Sequence, residues 1–284
     1  MSFSMKKIII GSCFLSLLNL LVSCEETIIL DLDQAKAGIV IDGLVTNVAG
    51  TSYVKISKTA GFYESGPTEK ITSAIVSLVD DKGVQTVFTH NPEGSKEYEG
   101  AYLPNPDFKG GVGRIFKLTV TIGSQVYEAQ DELLTITKID SVGYRINATQ
   151  EEDPAKEGEI YEALLYTREP QETKDYYLFK FYRNDSLTYF KNGEVYFAND
   201  EGIGEAIDGF PSPVYYSLKD TATVEMYSLT RNGFLFYNDL NNLNNGDGGM
   251  FSPPPANPRT NWSNGALGFF QVSATTRESV IILE

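Results

Sequence analysis

Three side chains in this sequence are both rare and reactive: Cys13, Cys24 and His90. His90 ends a strand-like run beside Asn91-Pro92, where a turn is expected. The sequence assembles no Ser-His-Asp or Cys-His set around it, and a zinc site would need several more His or Cys ligands. Acids are plentiful, 38 in all, but no two stand out as the facing pair that glycoside hydrolysis requires. Gly110-Gly111-Val112-Gly113 precedes a strand, whereas a phosphate loop precedes a helix, so it reads as a strand entry. Calcium has weak candidates in Asp239, Asn241, Asn245 and Asp247. With Asn241 first, Gly246 takes the EF-hand glycine position, yet Leu243 and Ser252 fall where oxygen ligands belong. An irregular calcium loop and a polar, helix-terminating loop both remain open there. No catalytic residue, resident metal or cofactor is assigned.

Cys24 is different, because its surroundings specify a reaction. Lys6 and Lys7 precede the apolar run Ile8 to Leu21, with Met5 the expected start. That run is too short to span a bilayer comfortably and has the charged-then-apolar order of a signal peptide. It closes on Leu21-Val22-Ser23-Cys24. An aliphatic residue three before the cysteine and a small one directly before it resemble the lipobox of bacterial lipoproteins. The small side chain suits a peptidase cleft, and the sulfur takes a diacylglyceryl group. A secretory signal with a chance cysteine is the alternative. Each buried methylene contributes about 0.8 kcal/mol, so two or more acyl chains give stable anchoring. Residues 1–23 are thus expected to be the signal peptide and 24–37 a tether. Glu25 and Glu26 resemble the acidic signal that displays Bacteroidota lipoproteins on the outer face of the outer membrane, although an acidic tether explains them equally well.

Cleavage there leaves about 260 residues, enough for one large or two medium domains. Cys13 leaves with the leader and Cys24 carries lipid, so no disulfide is expected and stability must come from ordinary cores rich in the 16 Phe and 17 Tyr. A formal net charge of −15 argues against nucleic-acid partners and against electrostatic docking on anionic lipid.

The elements that must hold this chemistry read as strands. Ile39 to Val45, Tyr53 to Ser57, Ala74 to Val79, Val84 to Thr89, a short piece at Tyr102, Arg114 to Ile122 and Gln125 to Ala129 alternate or run apolar between Gly, Pro and Asp turns. Gly123-Ser124 suits a type II′ hairpin. Residues 38–135 are therefore expected to form an immunoglobulin-like β-sandwich, in architecture only, since no Cys–Trp–Cys core is present. A boundary is expected near Leu134 to Ser141, and Thr149 to Glu159 reads as an exposed loop. Residues 136–284 follow as a second β-rich domain. Its strands are Ile160 to Thr167, Tyr176 to Tyr182, a Leu187 to Phe197 hairpin turning on Asn192-Gly193, Val224 to Leu229, Leu267 to Val272 and Ser279 to Leu283. Its one short helix is capped by Thr230 and presents Phe236, Leu240 and Leu243 on one face. Trp262, the only tryptophan, is a possible ligand or partner contact but more readily plugs the end of a sandwich.

Several short runs, in order, resemble one family. They are Cys24-Glu25-Glu26, Gly38-Ile39-Val40-Ile41-Asp42-Gly43, Ile71 to Val76 with its Asp80-Asp81-Lys82-Gly83 turn, Tyr98-Glu99-Gly100-Ala101-Tyr102, Val126-Tyr127-Glu128-Ala129 and Asn261 to Phe270. The likeness is to the Bacteroidota lipoproteins catalogued as domain of unknown function 4249, and it covers nearly the whole mature chain. The resemblance implies no catalytic residues. It implies an accessory outer-membrane lipoprotein paired with a TonB-dependent receptor.

The expected function is a non-catalytic binding role on the outer membrane, as an accessory subunit of a TonB-dependent nutrient-uptake receptor. A surface adhesin or structural envelope lipoprotein is the alternative, and a glycoside-acting enzyme a further one. Cys24→Ala is expected to give a folded, unlipidated, soluble chain. Retention of that variant in salt-washed membranes would show that partner contacts, and not the lipid, are the main tether.

Overall fold

Alternation of inward and outward side chains builds the first half of the protein, in which seven strands follow one another along the chain. The computed structural model describes residues 37–60, 66–91, 98–191, 193–201, 203–246 and 256–283. The leader, Cys24 and nearly all of the tether lie outside the described residues, as do Asn192 and Asp247. The seven strands are β1 (Ile39–Thr46), β2 (Tyr53–Lys58), β3 (Ile75–Asp80), β4 (Gln85–Asn91), β5 (Ala101–Leu103), β6 (Ile115–Ile122) and β7 (Gln125–Glu132). In β6, Phe116, Leu118 and Val120 are buried while Ile115 and Lys117 are exposed, the period-2 pattern of a half-buried strand. Ile122 pairs with Gln125 across Gly123-Ser124, and Gly123 takes the positive φ of +59° that the turn needs first.

The remaining elements are β8 (Ile139–Ile146), α1 (Ala148–Glu152), β9 (Tyr161–Arg168), β10 (Tyr176–Arg183), β11 (Ser186–Thr188), β12 (Tyr196–Asn199), β13 (Ala206–Tyr216), β14 (Thr221–Ser228), α2 (Arg231–Asn245), β15 (Phe270–Ser273) and β16 (Thr275–Ile281). The fold is mostly β. Eight strands run in the order β15-β1-β2-β5-β4-β3-β6-β7, and Ser273 of β15 bridges Leu134 just beyond β7, so the sheet curls round one core. A three-stranded sheet, β13-β9-β8, faces a second sheet built on β10, β14 and β16, with β11 and β12 side by side along β10.

β10 and β14 form the middle layer. Tyr177 and Phe181 point into one core with Leu165, Val224 and Met226. Leu178 points the other way, into a small cluster with Leu44, Tyr227 and Leu229, against which Tyr53 of β2 and Phe234 and Tyr237 of α2 pack. A strand buried on both faces needs apolar residues in succession, which is why Tyr176 to Tyr182 reads as a nearly continuous aromatic run.

Several expectations are corrected. The boundary near residue 135 does not separate the strands, because β15 returns to pair with β1 in parallel, Gly43 opposite Phe270 and Thr46 opposite Ser273. Trp262, Phe270, Val272 and Ala274 thereby complete the first core. Among the described residues of the expected Leu187 to Phe197 hairpin, β11 and β12 do not pair with each other; both pair with β10. The chain turns where the Glu194 N–H donates to the Lys191 carbonyl at 3.3 Å, with Gly193 at φ +86°. The tight turn between paired strands is Asn184-Asp185, both at positive φ, which Asn and Asp tolerate better than most residues. The segment Thr149 to Glu159 contains part of α1, capped by the Asn147 side chain accepting from the Gln150 N–H. Strand β13 was hidden by Gly209, Pro211 and Pro213; it is an edge strand with register shifts, where proline is tolerated.

One buried carboxylate holds the junction. Asp131 of β7 accepts the Val272 N–H at 2.9 Å and the Thr230 hydroxyl at 2.8 Å, and Thr230 is the N-cap of α2. Desolvation raises its pKa to about 6, against the partial relief of those hydrogen bonds. The folded state thus holds this proton more tightly than the unfolded chain. Its contribution favours the folded state at low pH and is lost as pH rises from about 4 through about 6, by on the order of 3 kcal/mol. Asp131→Asn should remove that slope and be neutral or stabilising at neutral pH, because the amide can accept from Val272 and donate to Thr230. Asp131→Ala should lose the slope as well; leaving both donors unpaired should cost it about 1–3 kcal/mol relative to Asp131→Asn, so its deficit against the wild type is largest at low pH and shrinks as pH rises through about 6. Thermal denaturation of the three proteins across this pH range measures both effects.

Candidate functional site

Where the outer face of β1 and β2, the face of β10 and helix α2 converge, a cavity of about 480 Å³ opens. Its position follows from local structure. On β1, Ile41 and Val45 point inward, so Asp42 and Leu44 point outward, and register sets Asp42 beside Lys55 and Leu44 beside Tyr53. From β10 come Leu178, Phe179 and Lys180, and from the arm before and into β12 come Tyr189, Glu194 and Tyr196. Helix α2 contributes Phe236, Tyr237 and Leu240. The returning segment closes the wall with Asn257, Phe269 and Gln271.

The lining is mostly carbon and largely aromatic, with a few placed polar groups, the usual make-up of a small-molecule site. Phe236 and Phe269 stack with centroids 5.0 Å apart and planes 22° apart. Tyr189 and Tyr196 stack at 6.4 Å and 28°. Tyr237 donates its hydroxyl to Gln271 Oε1 at 2.5 Å, and its pKa is pushed up by burial and by the Asp42 charge. Asp42 lies on the cavity floor, reachable by water from the cavity yet ringed by protein. Desolvation therefore raises its pKa, while Lys55, Lys180 and a 3.3 Å hydrogen bond from Tyr53 hold it down. Lys55 sits over the Tyr53 ring at 4.6 Å and Lys180 over the Tyr227 ring at 4.5 Å. Glu194 Oε2 accepts from the Tyr196 hydroxyl at 2.5 Å and from the Lys191 N–H at 3.0 Å.

The residues singled out by sequence go elsewhere. Trp262 is buried, not a ligand platform: its indole N–H donates to the Ile41 carbonyl at 3.0 Å and its ring packs on Phe270. Gly268 lets this segment lie against β1, for at φ +89° an added Cβ would stand 2.3 Å from the Ile41 carbonyl oxygen. The calcium candidates Asp239, Asn241 and Asn245 do not converge on a common point. Asp239 is gripped by the Arg259 guanidinium at 2.6 and 3.1 Å, and Asn245 donates to Asn241 at 2.9 Å. Arg259 holds the Asp239 carboxyl below the usual range. Thr230 does cap the helix, but its expected apolar face is divided: Phe236 and Leu240 line the cavity and Leu243 is exposed, while Phe234 and Tyr237 make the packing contacts. His90 is a paired residue of β4, opposite Tyr102 with ring centroids 5.3 Å apart, and does not lie in a turn.

A second group of acids was not marked by sequence. Carboxylate oxygens of Glu169, Asp175 and Asp200 lie within 4.8 Å of one another. Glu169 is buried, takes the Tyr177 hydroxyl at 2.8 and 3.0 Å, and has its pKa raised by burial. Asp200 accepts the Asp175 N–H at 2.8 Å. These bonds fix the start of β10 against the chain before β13.

Residues 25–279 match a family model described as a domain of unknown function, DUF4249. The chain belongs to that family. No curated protein matches it. No helix among the described residues is long and apolar enough to cross a membrane.

The electrostatics of Asp42 can be read directly. Tyr53→Phe and Lys180→Met each remove an influence that favours the carboxylate, so each should raise the Asp42 pKa further. Carboxyl-carbon NMR titration of Asp42 in the three proteins gives the direction; a fall in either variant would contradict this account.

Proposed function

We propose that this DUF4249 protein is a lipid-anchored, non-catalytic binding protein of the outer membrane that holds a small ligand in the cavity above Asp42. The cavity is the single observation that carries the reading. Aromatic residues from five separated segments line it, and each of its two carboxylates is held by a tyrosine hydroxyl, Asp42 by Tyr53 and Glu194 by Tyr196. Such an arrangement orients a ligand; general acid–base work needs a carboxyl positioned against a reacting atom. The junction ending at Cys24, with Glu25 and Glu26 behind it, supports lipid attachment and surface display. The family's implied pairing with TonB-dependent receptors supports a role as accessory subunit of a nutrient-uptake receptor.

A second reading, a glycoside-acting enzyme, is favoured by one fact: Asp42 and Glu194 line the same cavity. Release of shorter sugars from oligosaccharides, lost in Asp42→Asn, would select it.

The anchor and the cavity can be tested together with thiol chemistry. A lipidated Cys24 has no free thiol, so the wild-type chain should not react with a maleimide. Leu240→Cys should then react at a rate near that of an exposed cysteine, and Leu118→Cys, in the first core, should not react in the folded chain. Labelling of the wild type would sink the lipid assignment, and a silent Leu240→Cys would sink the cavity. Purification from outer membranes in mild detergent is expected to bring down a barrel of receptor size. Its consistent absence removes the accessory-subunit role.

A further inference from the structure

The polar end of the cavity carries both signs of charge. Asp42 lies within electrostatic reach of Lys180, which also lines the cavity, and of Lys55 beside it on β2. A cationic ligand brought to Asp42 meets these two ammonium groups. An anionic ligand brought to Lys180 meets Asp42, then Glu194, under the field of a chain with net charge −15. Either would also have to shed water from its own charge against walls that are mostly carbon. A neutral ligand avoids both costs. An acceptor and a donor close together suit adjacent hydroxyls, which donate to a carboxylate and accept from an ammonium, each a charge-assisted hydrogen bond.

The rest of the cavity adds flat surfaces. The Phe236–Phe269 stack and the Tyr189–Tyr196 stack come from different segments and both line it. Phe236, Tyr189 and Tyr196 are all partly exposed. A sugar ring has what such a site needs: a face of C–H groups that packs on an aromatic ring and a rim of hydroxyls. We infer that the cavity binds a neutral saccharide, its carbon face on the Phe236 ring and a pair of hydroxyls between Asp42 and Lys180. This inference rests on the cavity being a ligand site, as proposed above.

The test uses the full chain in a polyoxyethylene detergent, which carries no sugar headgroup. Maltotriose, cellotriose, mannotriose and xylotriose are the neutral probes; the glucosamine trimer and the galacturonate trimer are the cationic and anionic ones. Binding is read by saturation-transfer NMR and titration calorimetry. At least one neutral trimer is expected to bind more tightly than either charged trimer. Asp42→Asn and Lys180→Met should each weaken it about tenfold or more, and Phe236→Ala about fivefold. Val126→Thr, on the exposed face of β7, should leave binding unchanged. The inference is overturned if no neutral trimer binds, if a charged trimer binds more tightly, or if binding survives all three cavity substitutions. The maleimide reaction of Leu240→Cys in the same preparation separates the two failures. A reactive cysteine without trimer binding removes only the saccharide, whereas an unreactive one removes the cavity as a ligand site.

Discussion

The Asp131 carboxylate joins three elements that are far apart in the chain. It sits on β7, takes a backbone N–H from β15 and takes the hydroxyl that caps α2. A buried carboxylate with only apolar neighbours would be strongly destabilising, so the group is tolerated because both partners are present. Each partner is in turn placed by the carboxylate. β15 is held close enough to β7 for the eight-stranded sheet to curl round its core, and the first turn of α2 is fixed beside the same sheet. The cavity inherits its geometry from this contact, since Gln271 precedes the bonded Val272 by one residue and Phe236 and Tyr237 lie two turns beyond Thr230.

Around that joint, the molecule resolves into layers that share β10 and β14. One face of this middle sheet packs on β8, β9 and β13, and the other on the outside of β1 and β2. Apolar side chains fill the second interface only in part. Leu44, Leu178, Tyr227 and Leu229 close it at one end, while Asp42 and Lys180 occupy the other. Charged groups there cannot be sealed under a sheet without losing water they need. The gap between two sheets and a helix therefore stays open, and its walls are the rings that would otherwise have met.

The returning segment 256–274 makes the arrangement one structure and not two. Asn261 bonds both the N–H and the carbonyl of Phe270, at 2.9 and 2.8 Å, and Ser263 exchanges backbone and hydroxyl bonds with Glu128 of β7. Trp262 fills the core above Ile41. These residues are among those whose order suggested the family, and their role is architectural. They carry the chain from α2 back to β1, and in doing so supply Phe269 and Gln271 to the cavity.

Features that depend on neighbours in sequence were legible before the fold was known. The alternation of β2 and β6, the Gly123-Ser124 turn and the Thr230 cap are each set by a few adjacent residues, through side-chain period, positive φ and a local hydrogen bond. The lipobox-like run ending at Cys24 is likewise a linear pattern of adjacent residues. β13 was not legible, because its prolines argue against a strand unless an edge position excuses them. Nor was the tight turn at Asn184-Asp185, which lets β11 pair back on β10 and leaves the rest of that edge to β12. The parallel pairing of β1 with β15 leaves no trace in either strand alone, since a partner more than two hundred positions away imposes no period. For the same reason the cavity was invisible. Asp42, Lys180, Phe236 and Gln271 belong to four segments, and nothing in any one of them marks it as a wall. Sequence determined that the chain is β-rich and where a lipid could attach; only the tertiary structure, by curling one sheet back onto its own last strands, decided that it has this cavity.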